Sequence, residues 1–452
     1  MSGYLQANCI CPILPTTGCV VQPRWKVSLA VPTPHVLWVV LSTAWTVAAS
    51  VAFAEADAAP LAAASTPSAA SPAATDDPAA VEALFAQLAA DQAAAQPPAV
   101  VAAPAQTISQ GFSNPAMSLI FDGAVAAYSE PKSLSTGGHD PKRNGFNLQQ
   151  LEMHLSSSVD PYLHFEANIV YGQFGVEVEE AYAETLSLPA GLQLKAGQFL
   201  TAFGRANPTH PHSWHFTDQV LMVGKFFGSE GNRGLGVQLG WLTPLPWFTE
   251  LKLSATDASG ACCARSWLGA QDLPVRQPGD VLYTLTAKSF VPLDDDWSVT
   301  LGLSGQSGPH ATGNANRAEV AAADLYVRYR PAGDPQRRSL SLQVEHAIRG
   351  RQVPGRSLVD QAGYAQLVAA LALRWEAGLR TEWTTGLQDD PLDPLWVAAR
   401  QRHTAQLTFY PSHFSRLRLQ ASMDRPAWLD RPIYGVVLAL ETLIGEHGAH
   451  NF

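Results

Sequence analysis

Apolar and polar residues alternate, one by one, through most of the chain from Gly111 to Phe452. Met117, Leu119, Phe121 and Val125 share one parity, with Ser118 and Asp122 on the other. Leu151, Met153 and Leu155 stand against Gln150, Glu152 and His154, and Leu163, Phe165 and Ile169 against His164, Glu166 and Asn168. Leu192, Leu194 and Ala196 oppose Gln193 and Lys195. Trp297, Val299, Leu301 and Leu303 oppose Ser298, Thr300 and Ser304, and Leu325, Val327 and Tyr329 oppose Asp324, Arg328 and Arg330. Leu407 and Phe409 are backed by Gln406 and Thr408, and Leu417, Leu419 and Ala421 by Arg416, Arg418 and Gln420. Side chains of a strand point alternately to its two faces, so each stretch has one apolar and one polar wall. Repeated this often, the pattern predicts an all-β fold: a transmembrane antiparallel barrel with lipid outside and water inside.

The connections support that reading. Short turns fall at Val159-Asp160-Pro161, Leu188 to Gly191, Thr243 to Trp247, Pro292 to Trp297, Pro331 to Arg337, Trp375 to Gly378 and Tyr410 to His413. Between them lie longer segments at Glu130 to Gly145, Phe203 to Gly234, Asp257 to Asp280, Gly305 to Arg317, Gly350 to Gly363 and Leu387 to Arg400. Gly172 to Gly175 is short where a long segment is expected. Short turns on one side and long loops on the other mark a bacterial outer-membrane barrel, and the hairpin count predicts about sixteen strands. Trp241, Trp247, Phe248, Phe290, Trp297, Tyr329, Trp375, Tyr410 and Phe414 cluster beside the short turns, where an interfacial girdle belongs.

Composition changes the picture in two ways. Charged residues are only 15% of the chain against 46% hydrophobic, below the roughly 25% charged content of soluble domains. The net charge of -10 and the lack of a basic stripe exclude nucleic acid as a partner. One continuous apolar run, His35 to Ala54, follows Arg24 and Lys26 and ends in Ala52-Phe53-Ala54. It reads as a signal peptide over residues 1–54, cleaved before Glu55. Residues 55–110 form an Ala/Pro-rich linker with a short helix at 78–95, whose Val81, Leu84, Phe85 and Leu88 share a face. That face fits either a small coil joining a homotrimer or a transient helix. The barrel spans 111–452 and ends on Phe452, a terminal aromatic of the kind the barrel-assembly machinery receives. Cys9, Cys11 and Cys19 leave with the signal, and the adjacent Cys262 and Cys263 are poorly placed to pair.

Candidate chemistry lies on the polar wall. Early strands carry Asp122, Glu152, His154, His164, Glu166 and Lys195; late strands carry Arg328, Arg330, Arg374, Arg380, Arg416 and Arg418. Acid on one wall and arginine on the other read either as a transverse field that selects solutes or as plain solvated lining. Folding Gln150–Ser158 onto Pro161–Asn168 about Val159-Asp160 sets His154 against His164 and Glu152 against Glu166. Such a register makes either a site for zinc or a similar divalent ion or a polar patch. In Val176 to Glu184 the acids occupy both parities, which predicts a bulge near Glu179-Glu180. The third long loop holds His210, His212 and His215, with Arg205 and Asp218 nearby. These are candidate constriction residues, the histidines also candidate metal ligands. No cofactor is required by any pattern. Neither G-x-S-x-G nor a phosphate loop is present. Ser213 among the histidines invites an outer-membrane hydrolase, but no ordered base or oxyanion donor accompanies it, so no enzyme is predicted.

Several stretches resemble a bacterial outer-membrane family labelled zinc-regulated TonB-dependent outer-membrane receptors and related to phosphate-selective porins. They are Asn114–Gly123 (NPAMSLIFDG), Val178–Thr185 (VEEAYAET), Leu188–Phe199 (LPAGLQLKAGQF), Phe203-Gly204-Arg205, Asn207–Trp214 (NPTHPHSW) and Gly448-Ala449-His450. The resemblance implies a barrel in outer-membrane lipid that handles metal ions or small solutes. True TonB-dependent receptors use about 22 strands around a folded plug, and this chain has too few residues for that. The lysine-rich site of phosphate porins has no counterpart here. The expectation is therefore a passive porin-like channel for small hydrophilic solutes, divalent metal ions among them. A TonB-dependent receptor for a metal or its chelate is the alternative.

Overall fold

A computed structural model describes residues 115–131, 133–172, 175–313, 315–387 and 396–445. The expected signal peptide, the linker and its helix, the tip of the Gly172–Gly175 connection, part of the Leu387–Arg400 loop and Phe452 lie outside the described residues. Among the described residues sixteen strands close into one antiparallel barrel in which β1 pairs with both β2 and β16. They are β1 (Ala116–Tyr128), β2 (Gly145–Ser158), β3 (Leu163–Gly172), β4 (Gly175–Thr185), β5 (Leu192–Leu200), β6 (Arg233–Leu242), β7 (Phe248–Thr256) and β8 (Leu282–Pro292). β9 (Trp297–Pro309), β10 (Arg317–Tyr329), β11 (Ser339–Val353), β12 (Arg356–Ala372), β13 (Trp375–Thr384), β14 (Arg400–Ser412), β15 (Ser415–Pro426) and β16 (Ile433–Gly445) complete it.

The two parities separate as alternation requires. Met117, Leu119, Phe121 and Val125 are exposed on the outer face, while Ser118, Ile120 and Asp122 of the same strand are buried. Across the outer face of the closing seam Val125 lies opposite Leu438, which in turn lies opposite Leu419, and all three are exposed. Trp241, Trp247, Phe248, Phe290, Trp297, Trp375 and Phe414 are exposed near the short turns, and Trp297 stacks beside Tyr329 with ring centroids 4.8 Å apart. Tyr410, expected in this girdle, is instead buried on the lumen side, because it follows the outward Phe409 by one residue. An even-stranded closed barrel with an apolar outer face belongs in the outer membrane of a Gram-negative cell. Leu438→Arg puts a charge at the centre of the lipid face. It is expected to cost about 2–4 kcal/mol, read as a lower guanidinium midpoint for unfolding from lipid vesicles.

The turn expected at Trp375 to Gly378 lies inside β13, and three larger features also differ from the pattern-based expectation. Gly350 to Gly363 is not a long loop: β11 and β12 stay paired up to Val353 and Arg356, across Pro354-Gly355. The strands keep their faces there, with Arg349, Arg351, Leu358 and Asp360 buried, but the opposite face carries Gly350, Gln352, Ser357 and Gln361, so apolar–polar alternation no longer marks a strand. Cys262 and Cys263 do form a disulfide with each other, within the loop between β7 and β8.

The third difference is the β2/β3 register. His154 faces Asn168, Ser156 faces Glu166, Ser158 faces His164, and Glu152 faces Val170. The expected His154–His164 and Glu152–Glu166 pairs are therefore absent. The turn is longer than the Val159-Asp160 reading allowed. Val159 N donates to Leu163 O, and Asp160 Oδ1 accepts from Tyr162 N at 2.7 Å and Leu163 N at 2.8 Å. An aspartate that satisfies two turn amides, followed by a proline with no N–H, fixes the longer turn.

Candidate pore constriction

The third long connection, L3 (201–232), folds into the barrel instead of away from it. Its base is stapled shut. Thr201 N donates to Asn232 O at 2.9 Å. Asn207 Nδ2 donates to Thr201 O at 2.9 Å and to Asn232 O at 3.0 Å. The next turn of chain is aimed across the lumen at β11. Gly204 adopts φ +60°, and a Cβ there would overlap the Glu345 carboxylate. Only glycine combines that backbone with that approach. The amides of Arg205 and Ala206 then donate to Glu345 at 3.2 and 3.1 Å, and the Arg205 guanidinium lies over the Tyr326 ring at 3.7 Å.

Beyond Arg205 the loop runs between two polar walls. On one side His210 Nε2 is 2.6 Å from Glu180 of β4, and His212 Nδ1 is 3.0 Å from Glu152 of β2. On the other, arginines of β13 to β15 donate to the loop's own carbonyls. Arg416 reaches His212 O at 2.6 Å and Trp214 O at 2.9 Å, Arg418 reaches Phe216 O at 3.3 Å, and Arg402 reaches Gln219 O at 2.6 Å. His215 Nδ1 lies 3.0 Å from Glu376 of β13. Asp218 meets Arg380 at 2.6 Å and Arg402 at 2.8 Å, and accepts from Gln420 Nε2 at 3.0 Å. Burial pushes the Asp218 carboxyl up, but Arg380 and Arg402 outweigh it and hold it below the ordinary carboxylate range.

The loop's last third is apolar and packs into a buried cluster against the wall. A short helix, α1 (Leu221–Phe226), is buried along its whole length. Phe203, Val223, Phe226 and Phe227 pack with Trp267 of the β7/β8 loop and with Val320, Ala347 and Tyr364 of the wall. Small inward residues on β10 to β12 make room for it. Lys225 is anchored to Asp360 at 2.9 Å, and Asp360 also holds Arg349 at 2.6 Å. Beside the loop lies a cavity of about 160 Å³, bordered by Arg205, His210, Trp214, Asp218, Tyr326 and Arg380.

The acid wall owes its density to a bulge. Asn168 faces Glu180 while Ile169 faces Val178, so Glu179 is an extra residue in β4 and both Glu179 and Glu180 are buried on the inside. The doubled parity of the acids is thereby explained, since a bulge sets two consecutive side chains on one face. Above Ala181 the β4/β5 ladder opens, and Glu180 Oε1 takes over as acceptor for Leu200 N at 2.7 Å.

The comparison with known sequences decides the chain's kinship. A protein of Aquifex aeolicus (strain VF5), described as an uncharacterized protein, is 30% identical over 353 residues, covering 70% of this chain and 73% of the relative. This chain belongs to the family of that Aquifex protein. No family model matches the chain. Among solved structures this chain's barrel is similar to an anion-selective porin from Comamonas acidovorans, with TM-score 0.49, 11% identity, and 73% of this chain and 99% of the porin covered. It is also similar to OprB of Pseudomonas putida, with TM-score 0.49, 11% identity and 73% and 94% covered. A third likeness is the outer-membrane channel DcaP of Acinetobacter baumannii, with TM-score 0.48, 11% identity and 73% and 97% covered.

Within this family member the singled-out residues divide. Arg205, His210, His212, His215 and Asp218 are brought together across the lumen by L3. Asp122 and the arginines are not on separate walls: closure makes β1 a neighbour of β16, and Arg418 reaches Asp122 at 3.2 Å and Glu441 at 3.1 Å. Arg330 and Arg374 are exposed at short turns. Glu166 accepts from Tyr182 Oη at 2.8 Å, His164 Nε2 lies 3.1 Å from Ser156 Oγ, and Lys195 lies 3.7 Å from Glu184. Sequence reasoning missed His139, Glu230, Glu345, Arg349 and Arg402. Arg400, Arg402, Thr404, Gln406 and Thr408 share one parity in β14, so Arg402 was readable there. His139 and Glu230 lie in long connections, where no periodicity assigns a face.

Proposed function

We propose that this chain is a porin-like outer-membrane channel that passes small hydrophilic solutes, divalent metal ions among them, by diffusion past the constriction that L3 makes. One observation carries the reading: a closed barrel has its own third loop folded across the lumen, leaving a cavity bordered by charged and polar groups. Barrels of this size enclose an aqueous lumen, and a charged narrowing selects solutes by size and field. Arg205, His210, His212, His215 and Asp218 are the constriction residues in this reading, and no catalytic group is assigned. A TonB-dependent receptor is built on about 22 strands, whereas this barrel closes at sixteen, so that alternative lacks its barrel. The test is planar-bilayer recording from refolded protein. Discrete steps of ohmic conductance are expected, and a correctly folded barrel that never opens overturns the proposal.

A further inference from the structure

Glu179, the bulge residue of β4, stands at the centre of two groups of ligand-type side chains. His139 Nε2 lies 2.9 Å from Glu179 Oε1 and 2.8 Å from Glu230 Oε2. On the opposite side His210 Nδ1 lies 3.3 Å from Glu179 Oε2. Glu152 completes the second group. In each triad, His139–Glu179–Glu230 and Glu152–Glu179–His210, the ligand atoms all fall within 4.8 Å of one another. The donors are imidazole nitrogens and carboxylate oxygens, a mixed set that suits a transition-metal dication better than calcium or magnesium.

Three further observations take the cluster beyond an ordinary polar patch. The first is unspent donor capacity. Glu152 is fully buried and its Oε1 has no hydrogen-bond partner; Glu179 Oε2 and His210 Nδ1 face each other without forming a hydrogen bond. Burying polar atoms in that state is costly, and a single cation among them would engage all three. The second is charge. Glu152, Glu179, Glu180 and Glu230 are packed against three imidazoles, and the Arg233 guanidinium comes only within 4.0 Å of Glu179 while also pairing with Glu177. The set is rich in acid, and a dication among these carboxylates takes the place of the protons that the imidazoles otherwise hold there. The third is access. His139 and Glu230 border both the lumen cavity and a second cavity on the long-loop side, so an ion can arrive through water.

We propose that His139, Glu152, Glu179, His210 and Glu230 form a binding site for a transition-metal dication, with Glu179 shared by the two triads. The ligands come from β2, β4, L3 and the β1/β2 loop (129–144). An ion in the first triad ties the β1/β2 loop and L3 to β4, and an ion in the second ties L3 to β2 and β4. The site is independent of the channel reading: it holds whether or not solutes pass.

The experiment uses the full chain, refolded in detergent and stripped with a chelator, titrated with Zn²⁺ by calorimetry and with Co²⁺ by visible absorption. Zn²⁺ is expected to bind with micromolar or tighter affinity, Co²⁺ to give d–d bands of a nitrogen–oxygen site, and Mg²⁺ not to compete. Glu179→Gln and His139→Asn are each expected to weaken Zn²⁺ by about a hundredfold or more, since even outer supporting groups are worth 10–100-fold. His403→Asn, on the outward parity of β14 beside Thr381, is expected to bind as wild type does. Heat-shifted gel mobility reports folding. Should the buried Glu179→Gln variant not fold, His139→Asn in the loop tests the same site. Absence of Zn²⁺ and Co²⁺ binding to folded wild type, or undiminished binding by folded His139→Asn, overturns the site. Bilayer conductance of wild type separately decides the channel reading.

Discussion

Replacing residues 203–230 with a short glycine–serine turn is expected to raise single-channel conductance several-fold. L3 is the material that fills the lumen: its first part bridges to β11, its middle lies between the acid wall and the arginines, and α1 packs against the wall in an apolar cluster. Conductance follows the open cross-section, so removing this material leaves a barrel of sixteen strands as a water-filled tube. The wall should survive the excision. Leu200 and Arg233 remain paired at the base of the loop, and the β5/β6 ladder runs on unbroken to Leu192 and Trp241. The arginines left behind keep partners on the wall, such as Arg416 with Glu441 at 2.6 Å and Arg402 with Glu382 at 2.6 Å. The lost loop carbonyls are replaced by water. Planar-bilayer recording in molar salt checks the result. A folded deletion variant with wild-type conductance would show that the narrowing lies elsewhere.

Asp218→Asn is expected to loosen the same loop without removing it. Asp218 is buried between Arg380 and Arg402, with Gln420 donating to it and Asp140 of the β1/β2 loop nearby as the like charge. Removing one member of a buried ion group strands the others, at a cost of about 3 kcal/mol or more. That is roughly a hundredfold in the ratio of docked to displaced loop. Recordings from the variant should show frequent transitions to larger conductance levels that are rare in wild type. Acid should mimic it. The folded-state pKa of Asp218 lies below the unfolded one, so its contribution is fully present above the ordinary carboxylate range and is lost as pH falls through the folded value. Docking attributable to Asp218 should therefore be constant from about pH 5 to 8 and weaken only below about pH 4. A variant as quiet as wild type at neutral pH would remove Asp218 from the latch.

How much of this was legible in the chain depended on whether the signal was local. The outward residues of β1, β9, β15 and β16 follow from parity, because the lipid-facing side chains in the middle of these strands are apolar whatever their partner strand. The Glu179 bulge was legible for the same reason: acids on both parities of one strand reach a single wet face only if an extra residue shifts the alternation between them. The β2/β3 register was not, since turn length is set by Asp160 capping its own turn, and a shift of even two residues preserves every face. The vicinal disulfide and the β11/β12 extension were likewise invisible to periodicity.

The sequence by itself determined that this is an outer-membrane barrel of about sixteen strands, which residues face lipid, and that the histidine-rich third loop is its least generic segment. The tertiary structure decided what those polar residues do to one another. Closure placed Asp122 beside Arg418, though hundreds of residues separate them, because the first and last strands of a barrel are neighbours. Insertion of L3 turned a wall of arginines from open pore lining into donors for loop carbonyls. It also carried His210 and Glu230 to Glu179, where they meet His139 from another loop. Alternation along a strand records which face a side chain takes. Which partner it finds across the lumen is a long-range property of the closed sheet and the loop inside it, and no local pattern encodes that.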